Sequence, residues 1–338
     1  MSGEQVTIED TGRYLSRLLD KKIDVVGIKR AAVGWSDDVY MISGADELGQ
    51  PLELVARVTR EASAYPLVAE PRKHFETLRA LQETQVPGPI ALAFDESSSL
   101  FGAPTIVMRR SNGVAPIPWS PEGSAFLRRA RTGVEGRQFA AVVAAVHNVD
   151  ATAVGLRDLL ADVEQEHPRG ELAGMVRVYG EVANVFRSPI VEDALHWLDQ
   201  EVPANLSPGL AHGDYRPSNI LFDGSGLSVL LDWELAQFAD PHYDLAWAMS
   251  PFNRTVPGTV ADIVDVTTFR EVYESECVTR IDESLLHYFT VYVHVRQAMI
   301  FASALQGAVK ESMKDLRMTR AAAALSRTEA LILESLSG

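Results

Sequence analysis

The segment SNGVAPIPWSPEG, from Ser111 to Gly123, divides the chain into two stretches of different hydrophobic periodicity. It is rich in Pro, Gly and Ser, the composition of a hinge or crossing loop. Before it, three strand-like runs start at Ile23, Asp38 and Leu52, separated by Gly34 and by GADELGQP, and read as an antiparallel meander. A helix is expected ahead of them, with Thr7 as cap and Tyr14, Leu15, Leu18 and Leu19 as its apolar stripe. Another helix is expected from Leu67 to Gln82, closed by Pro87, Gly88 and Pro89, with strands PIALAF and APTIVM after it. Beyond the break the spacing is helical over Arg137–His147, Glu171–Phe186, Val191–Glu201, Phe269–Glu274, Ser284–Ala304 and about Met313–Leu336. Two short strand runs, NILF and LSVLLDW, interrupt it, and Asp223-Gly224-Ser225-Gly226 between them signals a hairpin. The expected fold class is α+β: a small antiparallel-sheet lobe over residues 1–110 and a mostly helical lobe over residues 111–338.

At 338 residues the chain is long enough for two lobes with separate cores. Acids outnumber bases 46 to 31, for a formal charge of −15. Such a chain matches a phosphate backbone poorly, so nucleic acid is not an expected partner. One cysteine, Cys277, excludes an internal disulfide and a cysteine metal cluster, which fits a reducing cytoplasm. The N-terminal MSGEQVTIED lacks the basic and apolar regions of a secretory signal. The most apolar stretch, Tyr288–Leu305, contains His294, Arg296 and Gln297 and reads as a buried helix, so no membrane span is expected.

The chemistry is concentrated in Leu210–Trp247, where His212-x-Asp214-x-x-x-x-Asn219 precedes the hairpin and Asp232 ends its second strand. Phosphoryl transfer asks for one carboxylate that orients the attacking hydroxyl and accepts its proton, and for an amide and a carboxylate that hold magnesium against the phosphates. A four-residue loop turns Asp214 and Asn219 into one site, and the hairpin returns the chain so that Asp232 reaches the same metal. This is the spacing of a kinase catalytic loop followed by a metal-binding aspartate. Taken singly, Asp and Asn are common turn residues, and only the ordered set carries the inference.

The segments HGDYRPSNILF, LDWELAQFADP and DLAW resemble the aminoglycoside phosphotransferase and choline kinase-like family, especially a branch with kinase modules joined to acyl-CoA dehydrogenases. VGWSDDVYMI, LVAR, APTIVMRRSNG and AAVHNVD extend the resemblance over most of the chain, until about residue 250. It implies a protein-kinase-like two-lobed fold and ATP and Mg2+ as cofactors. It implies Asp214 as catalytic base, Asn219 and Asp232 as metal ligands, and His212 and Asp244 as supports of the loop. Glu234 is a candidate for substrate, metal or a structural role. His147 is expected to pack between helices.

On the nucleotide side, Gly34, Trp35 and Ser36 lie in a turn between two strands that would bring backbone N–H groups over phosphates. The resemblance places the phosphate-binding cation at Arg57 and adenine recognition on the backbone of Met108, Arg109 and Arg110. The family's helix glutamate falls at His74 in this sequence, leaving Glu70, one turn earlier on the same face, as the expected partner of Arg57.

The resemblance implies a small-molecule hydroxyl, hydroxyacyl-type or antibiotic-like, as the acceptor. Polar groups on a buried helix are internally paired or face a ligand. Arg296 therefore either pairs with an acid such as Asp240 or Asp244 or addresses an anionic or carbonyl-bearing acceptor. The latter favours a hydroxyacyl-type acceptor over a polycationic antibiotic. A catalytically inactive pseudokinase is the alternative, and the intact trio argues against it. A metal-dependent hydrolase lacks a second histidine at ligand spacing from His212.

Overall fold

Thr7 caps the first helix, its hydroxyl accepting the Asp10 N–H at 3.1 Å. The computed structural model describes residues 6–31, 37–59, 70–97, 99–161, 168–309 and 320–337. Helix α1 (Ile8–Leu18) lies against a sheet of β1 (Ile23–Arg30), β2 (Asp37–Asp46), β3 (Pro51–Thr59), β4 (Ala91–Asp95) and β5 (Thr105–Arg109). The strand order is β1-β2-β3-β5-β4, antiparallel throughout. Tyr14 and Leu15 of α1 pack with Ile23, Ile42, Leu54 and Val107 of the sheet in a small core of their own. Helix α2 (Pro71–Leu81) crosses between β3 and β4, with proline in its first turn, where the missing N–H costs no hydrogen bond. The expected start of this helix, 67–69, lies outside the described residues.

The crossing segment docks where the sequence breaks. Val114 exchanges both backbone hydrogen bonds with Phe222, at 2.8 and 3.1 Å. Gly113 makes this approach possible: its φ is +124°, and a Cβ there would sit 2.9 Å from the Phe222 carbonyl. The end of the proline-rich stretch is not loop. Ser120 caps α3 (Pro121–Ala130), and Pro121 opens its first turn.

The second lobe contains α4 (Val134–His147), α5 (Leu156–Leu160), α6 (Arg169–Glu181) and α7 (Pro189–Gln200). The ribbons β6 (Gly209–Ala211), β7 (Ile220–Asp223), β8 (Gly226–Leu230) and β9 (Gln237–Ala239) follow, pairing as β6-β9 and β7-β8. Next come α8 (His242–Met249), the ribbon β10 (Thr259–Val260) and β11 (Val264–Asp265), and then α9 (Val266–Glu276), α10 (Glu283–Val309) and α11 (Arg320–Ser337). Helix α8 has no amphipathic signature in the sequence because nearly its whole circumference is buried. The same holds for α10, whose His294, Arg296 and Gln297 are all buried. Among the described residues, no helix is long and apolar enough to cross a membrane.

Candidate active site

The loop between β6 and β7 carries His212, Asp214 and Asn219 to the mouth of the helical lobe, and its shape depends on Gly213. That residue has φ +87°, and a Cβ would fall 2.0 Å from the Leu235 carbonyl oxygen. Asp244, wholly buried on α8, takes the two N–H groups at this turn. Its Oδ2 accepts from His212 N at 2.6 Å and its Oδ1 from Gly213 N at 2.9 Å. His147 Nε2 lies 3.3 Å from Asp244 Oδ2, while its Nδ1 is 2.8 Å from the Tyr273 hydroxyl. Burial opposes the Asp244 charge, but hydrogen bonding and positive potential from His147, with help from His212, hold its pKa below the ordinary value.

Both nitrogens of His212 are engaged. Nε2 donates to the Leu231 carbonyl at 2.7 Å, and Nδ1 accepts the Asp214 N–H at 3.2 Å. These partners fix one neutral tautomer. The ring packs on Trp233, 4.7 Å between centroids, which fastens the catalytic-type loop to the chain leaving β8.

The Asp214 carboxylate is nearly buried and held from three sides. Oδ1 accepts from Trp247 Nε1 at 2.9 Å, and Oδ2 accepts from Asn219 Nδ2 at 2.7 Å and from Arg216 at 2.9 Å. Asn219 is joined to the hairpin's end, because its carbonyl accepts the Leu231 N–H at 2.7 Å. Asp232 therefore follows directly on a residue bonded to Asn219. It has φ +58°, a left-handed backbone costing about 1–2 kcal/mol in a residue with a side chain, and its carboxylate is half exposed.

Arg57 on β3 faces this turn, with its side chain only 10 % exposed. It pairs with Asp37 of β2 and with Glu234, and its Nη1 lies 3.4 Å from Asp232 Oδ1. The expected partner, Glu70, is exposed ahead of α2 and makes no ion pair with Arg57. Glu70 precedes the first helical turn, so α2 turns His74 inward instead. Burial and then the Arg57 charge push His74 well below the usual imidazole pKa, which keeps it neutral.

The structure also corrects the pairing expected of Arg296. Neither Asp240 nor Asp244 binds it: Asp240 takes the Ser207 and His242 N–H groups. Arg296 is wholly buried, with Nε 3.8 Å from Glu171 Oε2 and its guanidinium 5.7 and 5.8 Å from the Tyr243 and Trp247 rings. Nε and Nη1 have no hydrogen-bond partner among the described residues. Burial works against its charge, but Tyr243, Glu171, Tyr292 and Asp214 raise its pKa. His294 and Gln297 do not join it, and His294 instead bonds the Ser250 hydroxyl at 3.0 Å.

Gly34, Trp35 and Ser36 lie outside the described residues. At the lobe connection, Met108 sits within β5, the Arg109 N–H is committed to Ile90 O and the Arg110 N–H to Glu53 O. The Arg110 guanidinium also binds Glu53, at 3.0 Å. An adenine here would be read by backbone groups other than those two amides.

The sequence reading missed Asp37, Arg216 and Trp247. Asp37 was legible in principle: Val39 is the cross-strand partner of Arg57, so Asp37, two residues away, shares its sheet face. Trp247 and Arg216 carried no signal that separates a donor to Asp214 from an ordinary core or surface residue.

Asp232 and Asn219 offer one carboxylate and one amide, a hard oxygen donor set. Magnesium is typically held by one or two carboxylates together with substrate phosphates. Among the described residues there is no group of three or more His, Cys, Asp or Glu that could hold a metal alone. The residues present thus fit an ion completed by a bound phosphate.

Acyl-CoA dehydrogenase family member 10 of Mus musculus is 29 % identical over 217 residues, which is 64 % of this chain and 19 % of the relative. The chain thus spans about a fifth of that curated relative. Among solved structures, a protein from Ralstonia eutropha JMP134 assigned as an aminoglycoside phosphotransferase has TM-score 0.73 at 17 % identity, covering 98 % of both chains. Spectinomycin phosphotransferase, solved with ADP and spectinomycin, has TM-score 0.63 at 11 % identity, covering 98 % of this chain and 99 % of its own. These likenesses establish the two-lobed kinase-like fold. The profile of the phosphotransferase enzyme family (APH) matches residues 27–274, and the chain belongs to that family.

Proposed function

We propose that this chain is an ATP- and magnesium-dependent kinase that transfers the γ-phosphoryl group of ATP to a hydroxyl of a small, non-cationic acceptor of hydroxyacyl type. Residues 1–110 form the nucleotide-binding lobe and residues 111–338 the catalytic and acceptor lobe. The carrying observation is the Asp214 carboxylate, fixed by Trp247 and Asn219, with the Asn219 carbonyl bonded to Leu231 just ahead of Asp232. The acceptor oxygen attacks the γ-phosphorus, the bond to the leaving ADP oxygen breaks, and the hydroxyl proton passes to Asp214. Trp247 and Asn219 orient that carboxylate and His212 braces the loop, with no free ring nitrogen to carry a proton. Asp232 and Asn219 would hold magnesium, which neutralises phosphate charge when bound.

Two observations support the acceptor class. The matched curated relative is an acyl-CoA dehydrogenase family member. The buried Arg296, within electrostatic reach of Asp214, would repel a polycation and favour a carboxylate, phosphate or carbonyl. An inactive nucleotide-binding protein is disfavoured, because Asp214, Asn219 and Asp232 are all in place. The test is ATP turnover with magnesium across hydroxyacyl thioesters, hydroxy acids, choline-like amines and aminoglycosides, using wild type and Asp214→Asn. Wild type is expected to turn over an acyl-type acceptor, and the variant to lose about two to four orders of magnitude in rate while still binding ATP. Near-normal turnover in folded Asp214→Asn removes that residue from the chemistry.

A further inference from the structure

Among the described residues, acids from two elements in different lobes meet Arg57. Asp37 belongs to the same sheet, on neighbouring β2. Glu234 belongs to the turn after β8, in the other lobe. Helix α2 packs against both β5 and that turn, yet the residue it brings near Arg57 is the buried His74. A kinase-type nucleotide site needs a basic strand residue held by an acid so that it points at the phosphates. Here α2 does not supply that acid.

We propose that Glu234 is a positioning residue of the nucleotide site, its carboxylate reaching from the turn after β8 to hold the Arg57 guanidinium on β3. The role rests on the nucleotide-binding reading above. The local backbone explains how Glu234 gets there. Asp232 adopts the left-handed conformation, which turns the chain sharply at the end of β8, and the 3-10 turn Trp233–Leu235 follows. Trp233 is anchored inward by its indole N–H to the Leu230 carbonyl at 2.9 Å. With Trp233 pinned in the core, the next side chain is directed to the other face of the turn, toward β3. Glu234 is only 15 % exposed and Asp37 only 12 %, so water screens the triad weakly.

Asp232 also touches Arg57. With Glu234 and Asp37 in place, Asp232 can turn to a cation while Arg57 keeps its orientation. The contact also joins the lobes through a side chain of the catalytic segment itself.

The test has two arms. In the first, melting temperatures of wild type, Arg57→Gln, Glu234→Gln and the double variant are compared without nucleotide. The pair is expected to be coupled, with the double variant less destabilised than the sum of the singles. In the second, calorimetry measures ATP binding with magnesium, and steady-state kinetics measure KM for ATP and for the acceptor. Glu234→Gln is expected to weaken ATP binding about tenfold to a hundredfold, as loss of a charge-assisted hydrogen bond does, with acceptor KM unchanged. Adding His74→Glu to Glu234→Gln places a carboxylate on the α2 face that meets Arg57 and should recover most of that loss. Additive melting shifts overturn the proposal, as does a Glu234→Gln protein with normal ATP affinity but raised acceptor KM. Failure of wild type to bind ATP would instead refute the kinase reading, and the melting arm would still decide the Arg57–Glu234 pair.

Discussion

The indole N–H of Trp247 donates to Asp214 Oδ1 at 2.9 Å, and the face of the same ring covers the buried guanidinium of Arg296, 5.8 Å from its centroid. One side chain of α8 thus touches both the proposed base and the proposed acceptor-selecting cation. Tyr243, one helical turn earlier, covers Arg296 from the same helix and donates to the Gly213 carbonyl at 3.3 Å.

Trp247→Phe keeps the aromatic cover and removes only the donor. Its kcat is expected to fall about tenfold to a hundredfold, the cost of losing a hydrogen bond to a charged acceptor, with ATP affinity unchanged. Steady-state kinetics with calorimetry for ATP checks this. An unaltered kcat would show that Asn219 and Arg216 suffice to orient Asp214.

Asp232→Asn preserves the left-handed backbone, which Asn tolerates, and removes the charge. Magnesium is then expected to lose most of its effect on ATP affinity, while affinity without magnesium changes little. Calorimetry at several magnesium concentrations reads this directly. Equal affinity of variant and wild type at saturating magnesium would assign the metal elsewhere.

Arg296→Gln is expected to lower kcat/KM for an anionic or carbonyl-bearing acceptor, since the buried positive charge that favours it through space is lost, and to leave KM for ATP alone. The measurement is an acceptor panel run on both proteins. If aminoglycosides prove the best substrates, or if only stability changes, Arg296 is a packing residue bound to Glu171 and no more.

His294 supplies a pH prediction. Burial lowers its pKa from 6.5 to about 4. Between these values the unfolded chain takes up a proton that the folded chain refuses, so stability falls as pH drops from 6.5 to about 4 and then levels off. The full contribution is on the order of 3 kcal/mol. His74, also lowered by burial, adds to the wild-type slope in this window, so His294→Gln is expected to reduce that slope without removing it, as measured by urea unfolding at stepped pH. Asp244 does not obscure it, because a depressed carboxylate loses its contribution only below its ordinary value near 3.8.

The sequence alone determined the parts that depend on local order along the chain. The α+β class, the meander β1-β2-β3 and the hairpin at Asp223–Gly226 follow from periodicity and turn chemistry, and each appears in the structure. The contact of Asp214 with Asn219 follows from the short loop between them, and the Asn219 carbonyl is bonded to Leu231, the residue before Asp232. Helix α8 was not legible, because a helix buried on all sides has no polar face to set a period. Tertiary structure alone decided which charges meet. Arg57 and Glu234 are 177 positions apart, and Arg296 meets Glu171 from another helix. A carboxylate one turn away along a helix, as Glu70 is from His74, looks like the natural partner in sequence. Electrostatic attraction acts through space, however, and the buried end of α2 turned His74 to Arg57 and left Glu70 in water.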